Sequence, residues 1–161
     1  MAGDAPSLET LEAPRGVHTS RVDEKGRLKT PAAIKQYLGS LDESRLFVTS
    51  LDLRTVRIYP MSVWRENEKL FEEITDEAEE AEELAFLAQD LGHEVEMDSQ
   101  GRILIPAELR RMLDLEGQSV YLNSYRGRVN LFGKEVYEEQ RGRARAKAAD
   151  RLRLLEKKGL K

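Results

Sequence analysis

The chain has 161 residues, of which 40% are hydrophobic and 35% are charged, so the sequence predicts a modest core surrounded by exposed charged helices or tails. It contains no cysteine, which excludes a disulfide framework, a thiol nucleophile and a zinc site built on thiolates. The net charge of −4 excludes a general attraction to nucleic acid, so binding of a polyanion would require a locally basic surface.

Residues 1–15 predict a flexible arm, because they combine two prolines and a glycine with few large apolar side chains. They have neither the basic start nor the apolar run of a secretory signal peptide. No stretch elsewhere in the sequence reaches the roughly 18 apolar residues of a membrane span. We therefore expect a cytoplasmic protein without a membrane partner.

A short motif occurs twice in the chain. Residues 22–31 read VDEKGRLKTP and residues 97–106 read MDSQGRILIP, so each copy has Asp-x-x-Gly-Arg followed four residues later by proline. The register continues downstream, where LFVTS and VRIYPMSVW of the first copy correspond to VYLNS and VNLFGKEVY of the second. Each copy predicts a strand, a tight turn, a strand, a short helix, two more strands and the start of a longer helix. We assign the first half-domain to residues 16–64 and the second to residues 93–137.

Each Asp-x-x-Gly-Arg segment predicts a type I hairpin turn that is closed by a bulge. In the first copy, Asp23 accepts hydrogen bonds from the backbone ahead of it, and Gly26 supplies the left-handed conformation. Arg27 then begins the return strand at the mouth of the hairpin, where its side chain can project from the surface. The turn-forming residues of the two copies are Asp23, Gly26, Asp98 and Gly101.

Helices are predicted after each turn, between the copies and at the end of the chain. Pro31 and Pro106 suit the first position of a short helix, and Thr30 suits the N-cap before the first one. Residues 65–92 predict an acidic helical linker, and residues 138–161 predict a basic helical tail. We interpret the aromatic side chains of these regions as core residues and not as a base-stacking platform: Trp64, Phe71 and Phe86.

The two charged segments have more than one interpretation. Residues 66–90 contain eleven acidic residues and one lysine, whereas residues 141–161 contain nine basic and two acidic residues. We expect the acidic surface to point away from any nucleic acid or to pair with the basic tail of its own or a neighbouring chain. The tail itself is either a phosphate-binding extension or a solvated helix.

The sequence predicts no enzyme, no metal site and no cofactor. His18 and His93 are the only histidines, do not share a helical spacing and have no cysteine or carboxylate cluster beside them. Asp23 and Asp98 already have a role in the turns, and no nucleophile or phosphate loop accompanies them.

With its two motifs in register, the sequence resembles the MraZ family, in which two tandem AbrB-like swapped-hairpin half-domains each carry an Asp-x-x-x-Arg signature. Asp23 with Arg27 and Asp98 with Arg102 match this signature, and the resemblance covers residues 16–137. It implies a mainly β fold with added α-helices, in which two pseudo-symmetric AbrB-like halves form one compact unit.

The resemblance also implies a function. MraZ proteins are DNA-binding transcriptional regulators that assemble into rings, bind short G-rich direct repeats and control the promoter of the division and cell-wall gene cluster that encodes them. The expected partners are therefore double-stranded DNA and further copies of the chain, and the expected protein is a nucleoid-associated regulator, most simply a repressor. An oligomeric scaffold or an antitoxin-like protein-binding module without DNA specificity remains the alternative.

In the family the signature arginines face the DNA, and an arginine fork at a hairpin tip can bond O6 and N7 of guanine for about 1–3 kcal/mol of discrimination. The two copies differ in the number of basic residues around the turn. The first turn has four basic residues, whereas the second has only Arg102. The segment RLKT alternates like a half-exposed strand, whereas the apolar run ILIP suits a strand buried on both faces. We therefore place the main DNA contact on the first copy and assign the second more to the core or to a subunit interface. The predicted DNA-binding residues are Arg21, Lys25, Arg27, Lys29 and Arg102.

Overall fold

The computed structural model describes residues 12–161, and the predicted flexible arm at residues 1–15 lies mostly outside this part of the chain. The first copy consists of strand β1 (His18–Arg21), strand β2 (Arg27–Lys29), helix α1 (Ala32–Gly39), strand β3 (Arg45–Thr49), strand β4 (Val56–Pro60) and helix α2 (Met61–Glu73). Helix α3 (Ala78–Leu91) follows. The second copy consists of strand β5 (His93–Glu96), strand β6 (Arg102–Leu104), helix α4 (Ala107–Met112), strand β7 (Ser119–Tyr125), strand β8 (Arg128–Phe132) and helix α5 (Lys134–Ala146). Helix α6 (Ala148–Glu156) comes after both copies.

The strands of the two copies are exchanged. Strand β1 pairs with β7, with Thr19 opposite Tyr121, and β5 pairs with β3, with Phe47 opposite Glu94. Strands β4 and β8 pair at the centre of this antiparallel sheet, whose strand order is β1-β7-β8-β4-β3-β5. Strands β2 and β6 form a separate two-stranded ribbon. Each copy therefore completes the sheet of the other, and the prediction of a mainly β fold with added helices is confirmed.

The main core lies between the six-stranded sheet, the ribbon and the two short helices. Leu28 and Ile103 at the centres of the ribbon strands are completely buried, as are Ile34 of α1 and Leu109 of α4. Full burial of one such side chain contributes about 1.5–3 kcal/mol to the free energy of unfolding. The ribbon that carries both motifs is thus fixed to the core through the middle residue of each strand.

A second apolar cluster covers the other face of the sheet. The indole of Trp64 in α2 stacks on Phe47 with ring centroids 4.7 Å apart, and Phe71 meets the indole edge-on at 6.1 Å. Trp64 and Phe71 therefore lie where the sequence places them. The assignment of Phe86 to the core is wrong, because its side chain is 68% exposed. Helix α3 packs against the rest of the protein through a different face, on which Ala88 is buried.

The N-caps of both short helices and the C-terminal helix differ from the predictions: Pro106 is the N-cap of α4 and not its first residue, and its carbonyl accepts from the N–H of Arg110 at 3.1 Å. The carbonyl of Pro31 accepts the first helical hydrogen bond from the N–H of Lys35 at 2.8 Å, so Pro31 itself occupies the N-cap position. Thr30 is one residue too early to cap α1, and its hydroxyl is buried without a hydrogen-bond partner among the described residues. The C-terminal helix is broken at Lys147, where φ is −123°. Within residues 12–161, none of the helices has the length and apolar character needed to cross a membrane.

Candidate nucleic-acid interface

Backbone and side-chain hydrogen bonds to Asp23 close the first turn. The N–H of Asp23 donates to the carbonyl of Arg27, and the N–H of Gly26 donates to the carbonyl of Asp23, each at 2.9 Å. Oδ1 of Asp23 accepts from the N–H groups of Lys25 and Arg27, also at 2.9 Å. Gly26 has a φ of +85°, which L-residues with a side chain rarely adopt. The carboxylate and the glycine together define the turn, whose flanking strands β1 and β2 pair with β7 and β6 and not with each other.

The second turn repeats these bonds atom for atom. The N–H of Asp98 donates to the carbonyl of Arg102 at 2.9 Å, and Oδ1 of Asp98 accepts from the N–H groups of Gln100 and Arg102 at 2.9 Å. Gly101 has a φ of +78°. Because the first and second turns share one geometry, their arginines leave the turn in equivalent positions.

The same carboxylates orient the signature arginines. Oδ2 of Asp23 accepts from Nε of Arg27 at 3.1 Å, and Oδ2 of Asp98 accepts from Nε of Arg102 at 2.8 Å. Both arginine side chains are about one-third exposed. Neither guanidinium makes a hydrogen bond through Nη1 or Nη2 to another described residue. Each fork is therefore held from one side, and its terminal amino groups remain available to a ligand.

The turns also keep both carboxylates charged. The N–H of Arg27 is the largest cause that lowers the pKa of Asp23, although desolvation opposes it. The N–H of Arg102 lowers the pKa of Asp98 in the same way. Both aspartates are therefore ionised at neutral pH, and each can hold its arginine there.

The ribbon brings residues of both motifs to one surface. Arg27 lies opposite Leu104, and Lys29 lies opposite Arg102. The central residues of the two strands point into the core, so these four flanking residues share the outer face of the ribbon. The arginines occupy diagonal positions on that face.

All five predicted DNA-binding residues line one open groove of about 740 Å³ beside the two turns: Arg21, Lys25, Arg27, Lys29 and Arg102. The groove is also lined by two carboxylates, Asp23 and Glu24. Five basic side chains against two acidic ones make this surface locally basic, although the whole chain has a net charge of −4. Arg21 is additionally fixed by donating from Nη1 to the carbonyl of Gly117 at 3.2 Å.

The expectation that the second motif strand is buried on both faces is wrong. In β6, Ile103 is completely buried but Leu104 is 48% exposed. The physical reason is that the core packs against only the inner face of the two-stranded ribbon, so the outer face meets solvent. The second copy therefore contributes to the same surface as the first. The prediction that the first copy makes the main contact depends only on its larger number of basic residues.

Sequence reasoning missed two residues that cover the turns. A Cβ atom at Gly26 would lie 2.0 Å from Nη1 of Arg110 in α4, and a Cβ atom at Gly101 would lie 2.5 Å from Cδ of Lys35 in α1. The carbonyl of Gly26 also accepts a hydrogen bond from the N–H of Ile105 at 2.8 Å. Each turn is thus supported by the other copy. Lys35 and Arg110 are equivalent positions of the repeat, and that equivalence is the signal that could have identified them.

The histidines lie apart from this surface. His18 begins β1 and His93 begins β5, which are the two opposite edges of the six-stranded sheet. Among residues 12–161, no group of three or more histidine, cysteine, aspartate or glutamate side chains is arranged to hold a metal ion.

Known proteins resemble this chain over most of its length. A family model described as "MraZ protein, putative antitoxin-like" matches residues 92–155. The protein named Transcriptional regulator MraZ from Acidobacterium capsulatum is 38% identical over 125 residues, which cover 78% of this chain and 79% of that protein. Proteins of the same name from Koribacter versatilis and Thiobacillus denitrificans are 35% identical over 105 residues and 31% identical over 126 residues. These matches cover 65% and 78% of this chain, and 71% and 84% of the respective relatives.

Proposed function

Because this chain belongs to the MraZ family of transcriptional regulators, we propose that it binds promoter DNA sequence-specifically through the outer face of the β2–β6 ribbon. The observation that carries this proposal is the position of both signature arginines on that one face. A two-stranded ribbon fits the major groove of B-DNA, which is about 12 Å wide. The proposal therefore assigns both copies to one DNA surface.

The residues of the ribbon have separate roles in this proposal. Arg27 and Arg102 offer their free Nη1 and Nη2 atoms to O6 and N7 of guanine, and their aspartates reduce the entropy lost on binding. Leu104 offers an apolar contact to the methyl group of thymine. Phosphate contacts come from the remaining basic residues of the groove: Arg21, Lys25 and Lys29.

Oligomerisation is the second part of the proposal. Two arginine forks worth about 1–3 kcal/mol each cannot supply a tight specific site, so several copies must act together. A closed ring presents the same ribbon repeatedly in one orientation, which suits direct repeats. We propose that the chain binds G-rich direct repeats in the promoter of its own division and cell-wall gene cluster. Bound there, it represses transcription and is associated with the nucleoid.

Fluorescence anisotropy with labelled DNA from upstream of the chain's own gene tests the roles of the arginines. Arg27→Ala should nearly abolish specific binding, and Arg102→Ala should weaken it less, because four basic residues surround the first turn. Each lost guanine contact should cost about 1–3 kcal/mol, or roughly 5- to 150-fold in affinity. Scrambled DNA of the same length is the control. A larger effect of Arg102→Ala, with unchanged oligomeric state, would reverse the assignment of the copies.

A salt titration of the same complex separates phosphate contacts from base contacts. Lys25→Ala should weaken binding to specific and scrambled DNA alike, and it should reduce the slope of log affinity against log salt by about one unit. Gln100→Ala at the equivalent position of the second turn is the matched control and should change little. Wild-type oligomer that fails to distinguish the two DNAs would favour the scaffold or antitoxin-like alternative.

A further inference from the structure

Helix α3 presents an exposed phenylalanine surrounded by carboxylates. Phe86 is 68% exposed and lies beside an open groove of about 710 Å³. The acidic residues of this groove occur seven, four and three residues before Phe86 and four residues after it, so they share its side of the helix. None of them forms an ion pair with another described residue. We call this surface the acidic face; it consists of Glu79, Glu82, Glu83, Phe86, Leu87 and Asp90.

Helix α6 presents the opposite chemistry. It buries no residue, and it carries leucines that are about half exposed. Leu152 and Leu155 are three residues apart and therefore lie on one side of the helix. Arg151 lies four residues before Leu155, on the same side, and Lys158 lies in the turn that follows α6. We call this surface the basic face; it consists of Arg151, Leu152, Leu155 and Lys158.

The two faces of one chain are anchored far from each other. Helix α3 is held to β3, where the hydroxyl of Thr49 donates to the carbonyl of Ala88 at 2.9 Å. The helix before α6 is held to β7, where Tyr137 stacks on Tyr121 with ring centroids 4.0 Å apart. Strands β7 and β3 are separated by β8 and β4, which corresponds to about 14 Å across the sheet. Both faces remain exposed in the single chain.

We propose that the basic face of one chain binds the acidic face of a second copy. In this interface, Leu152 and Leu155 cover Phe86, and the two cationic side chains pair with the glutamates around it. The faces are complementary in apolar area and in charge, which selects a copy of this chain over a neutral apolar partner. The inference rests on the proposed oligomer and names the surfaces that form it. Since the two surfaces differ, the contact is head-to-tail, and a head-to-tail contact can close into a ring.

Charge-reversed variants test this interface in the full chain. The tail variant Arg151→Glu with Lys158→Glu places an acidic tail opposite an acidic face, and the face variant Glu82→Lys with Glu83→Lys places a basic face opposite a basic tail. By light scattering at micromolar concentration, each variant alone should fall below the wild-type subunit number. An equimolar mixture should restore it, because both contacts between the two variants are again complementary. The charge-matched control Glu66→Lys with Glu72→Lys, on exposed positions of α2, should keep the wild-type assembly.

Apolar substitutions test the same contact without changing charge. Phe86→Ser and Leu155→Ser should each reduce the subunit number, while circular dichroism should remain that of the wild type because both side chains are exposed. Wild-type assembly in the tail variant, or a mixture that stays dissociated, overturns the inference. A tail variant that keeps its assembly but has a smaller salt slope in DNA binding assigns the tail to phosphate.

The outcome for this interface can be separated from the outcome for DNA binding. If the mixture reassembles but wild-type protein does not distinguish promoter from scrambled DNA, the proposed DNA function fails and the interface stands. If wild-type protein binds promoter DNA while the charge-reversed variants stay assembled, the interface fails and the DNA function stands.

Discussion

At the scale of single residues, the aspartate of each motif performs two tasks. Asp23 satisfies the backbone of its turn through Oδ1 and orients Arg27 through Oδ2. The turn was predictable from the sequence, because aspartate, glycine and their spacing determine its hydrogen bonds locally. The contacts of Lys35 and Arg110 were not predictable from the local pattern, because each comes from the other copy. Local chemistry therefore forms each turn, and tertiary structure positions it.

Alanine substitutions at two glycines should separate backbone strain from the contact with Arg110. Gly26 and Gly117 both have a positive φ, of +85° and +71°, but only Gly26 has a neighbour in the path of a Cβ atom. Gly117→Ala should therefore cost about 1–2 kcal/mol of unfolding free energy from strain alone. Gly26→Ala should cost more, because it also displaces Arg110. Urea denaturation measures both values.

A double-mutant cycle provides the control for this comparison. If displacement of Arg110 causes the extra cost, the two glycine substitutions should lower the free energy of unfolding by more similar amounts in an Arg110→Ala background. Equal costs for the two glycines in the wild-type background would show that Arg110 moves aside freely.

At the scale of elements, Glu43 connects three segments. It lies between α1 and β3, and its carboxylate accepts hydrogen bonds from Arg65 of α2 at 2.8 Å and from Arg45 of β3 at 2.7 Å. Arg45 also reaches Glu94 of β5 at 3.3 Å. The hydrogen bonds from Arg65, followed by those from Arg45, lower the pKa of Glu43 to about 2. This network joins α2 to the sheet.

The low pKa of Glu43 predicts an acid-dependent contribution to stability. A group whose pKa is lower in the folded state stabilises the fold above its unfolded value of 4.5, and this stabilisation is lost as the pH falls toward 2. Glu43→Gln should therefore be less stable than wild type at pH 7, and the difference should shrink between about pH 4.5 and pH 2. Denaturation midpoints measured across this range test the prediction. Glu72→Gln, outside the network, should show the same pH dependence of stability as the wild type. A stability difference between Glu43→Gln and the wild type that does not change with pH would contradict the role assigned to Glu43.

Element types were more predictable than element surroundings. The duplicated pattern predicted the order of strands and helices, because alternation and proline positions act within each segment. The exposure of Leu104 and Phe86 depended instead on which neighbours cover β6 and α3. Helix α5 ends before Lys147, and no glycine or proline at this position predicts that end.

At the scale of the whole molecule, the strand exchange makes each copy depend on the other. Four strand pairings join the copies, namely β1 with β7, β2 with β6, β3 with β5 and β4 with β8. Within a copy, only β3 with β4 and β7 with β8 remain paired. This exchange was expected only from the family resemblance, because periodicity within a segment does not specify a partner in another segment. The proposed DNA surface itself requires both copies, since the ribbon takes one strand from each.

The exchange predicts that neither copy folds alone as a monomer. Fragments 1–75 and 76–161 separate the chain in the connection between α2 and α3, and each retains only one pair of strands, β3–β4 or β7–β8, which is marginally stable in water. Each fragment should lack a cooperative unfolding transition at low micromolar concentration, whereas an equimolar mixture should recover the β-sheet signal in circular dichroism. As a control, an intact chain cleaved at a protease site inserted after Glu73 should stay folded and associated, because no strand pairing is broken. A fragment that is both monomeric and cooperatively folded would contradict the interdependence of the copies.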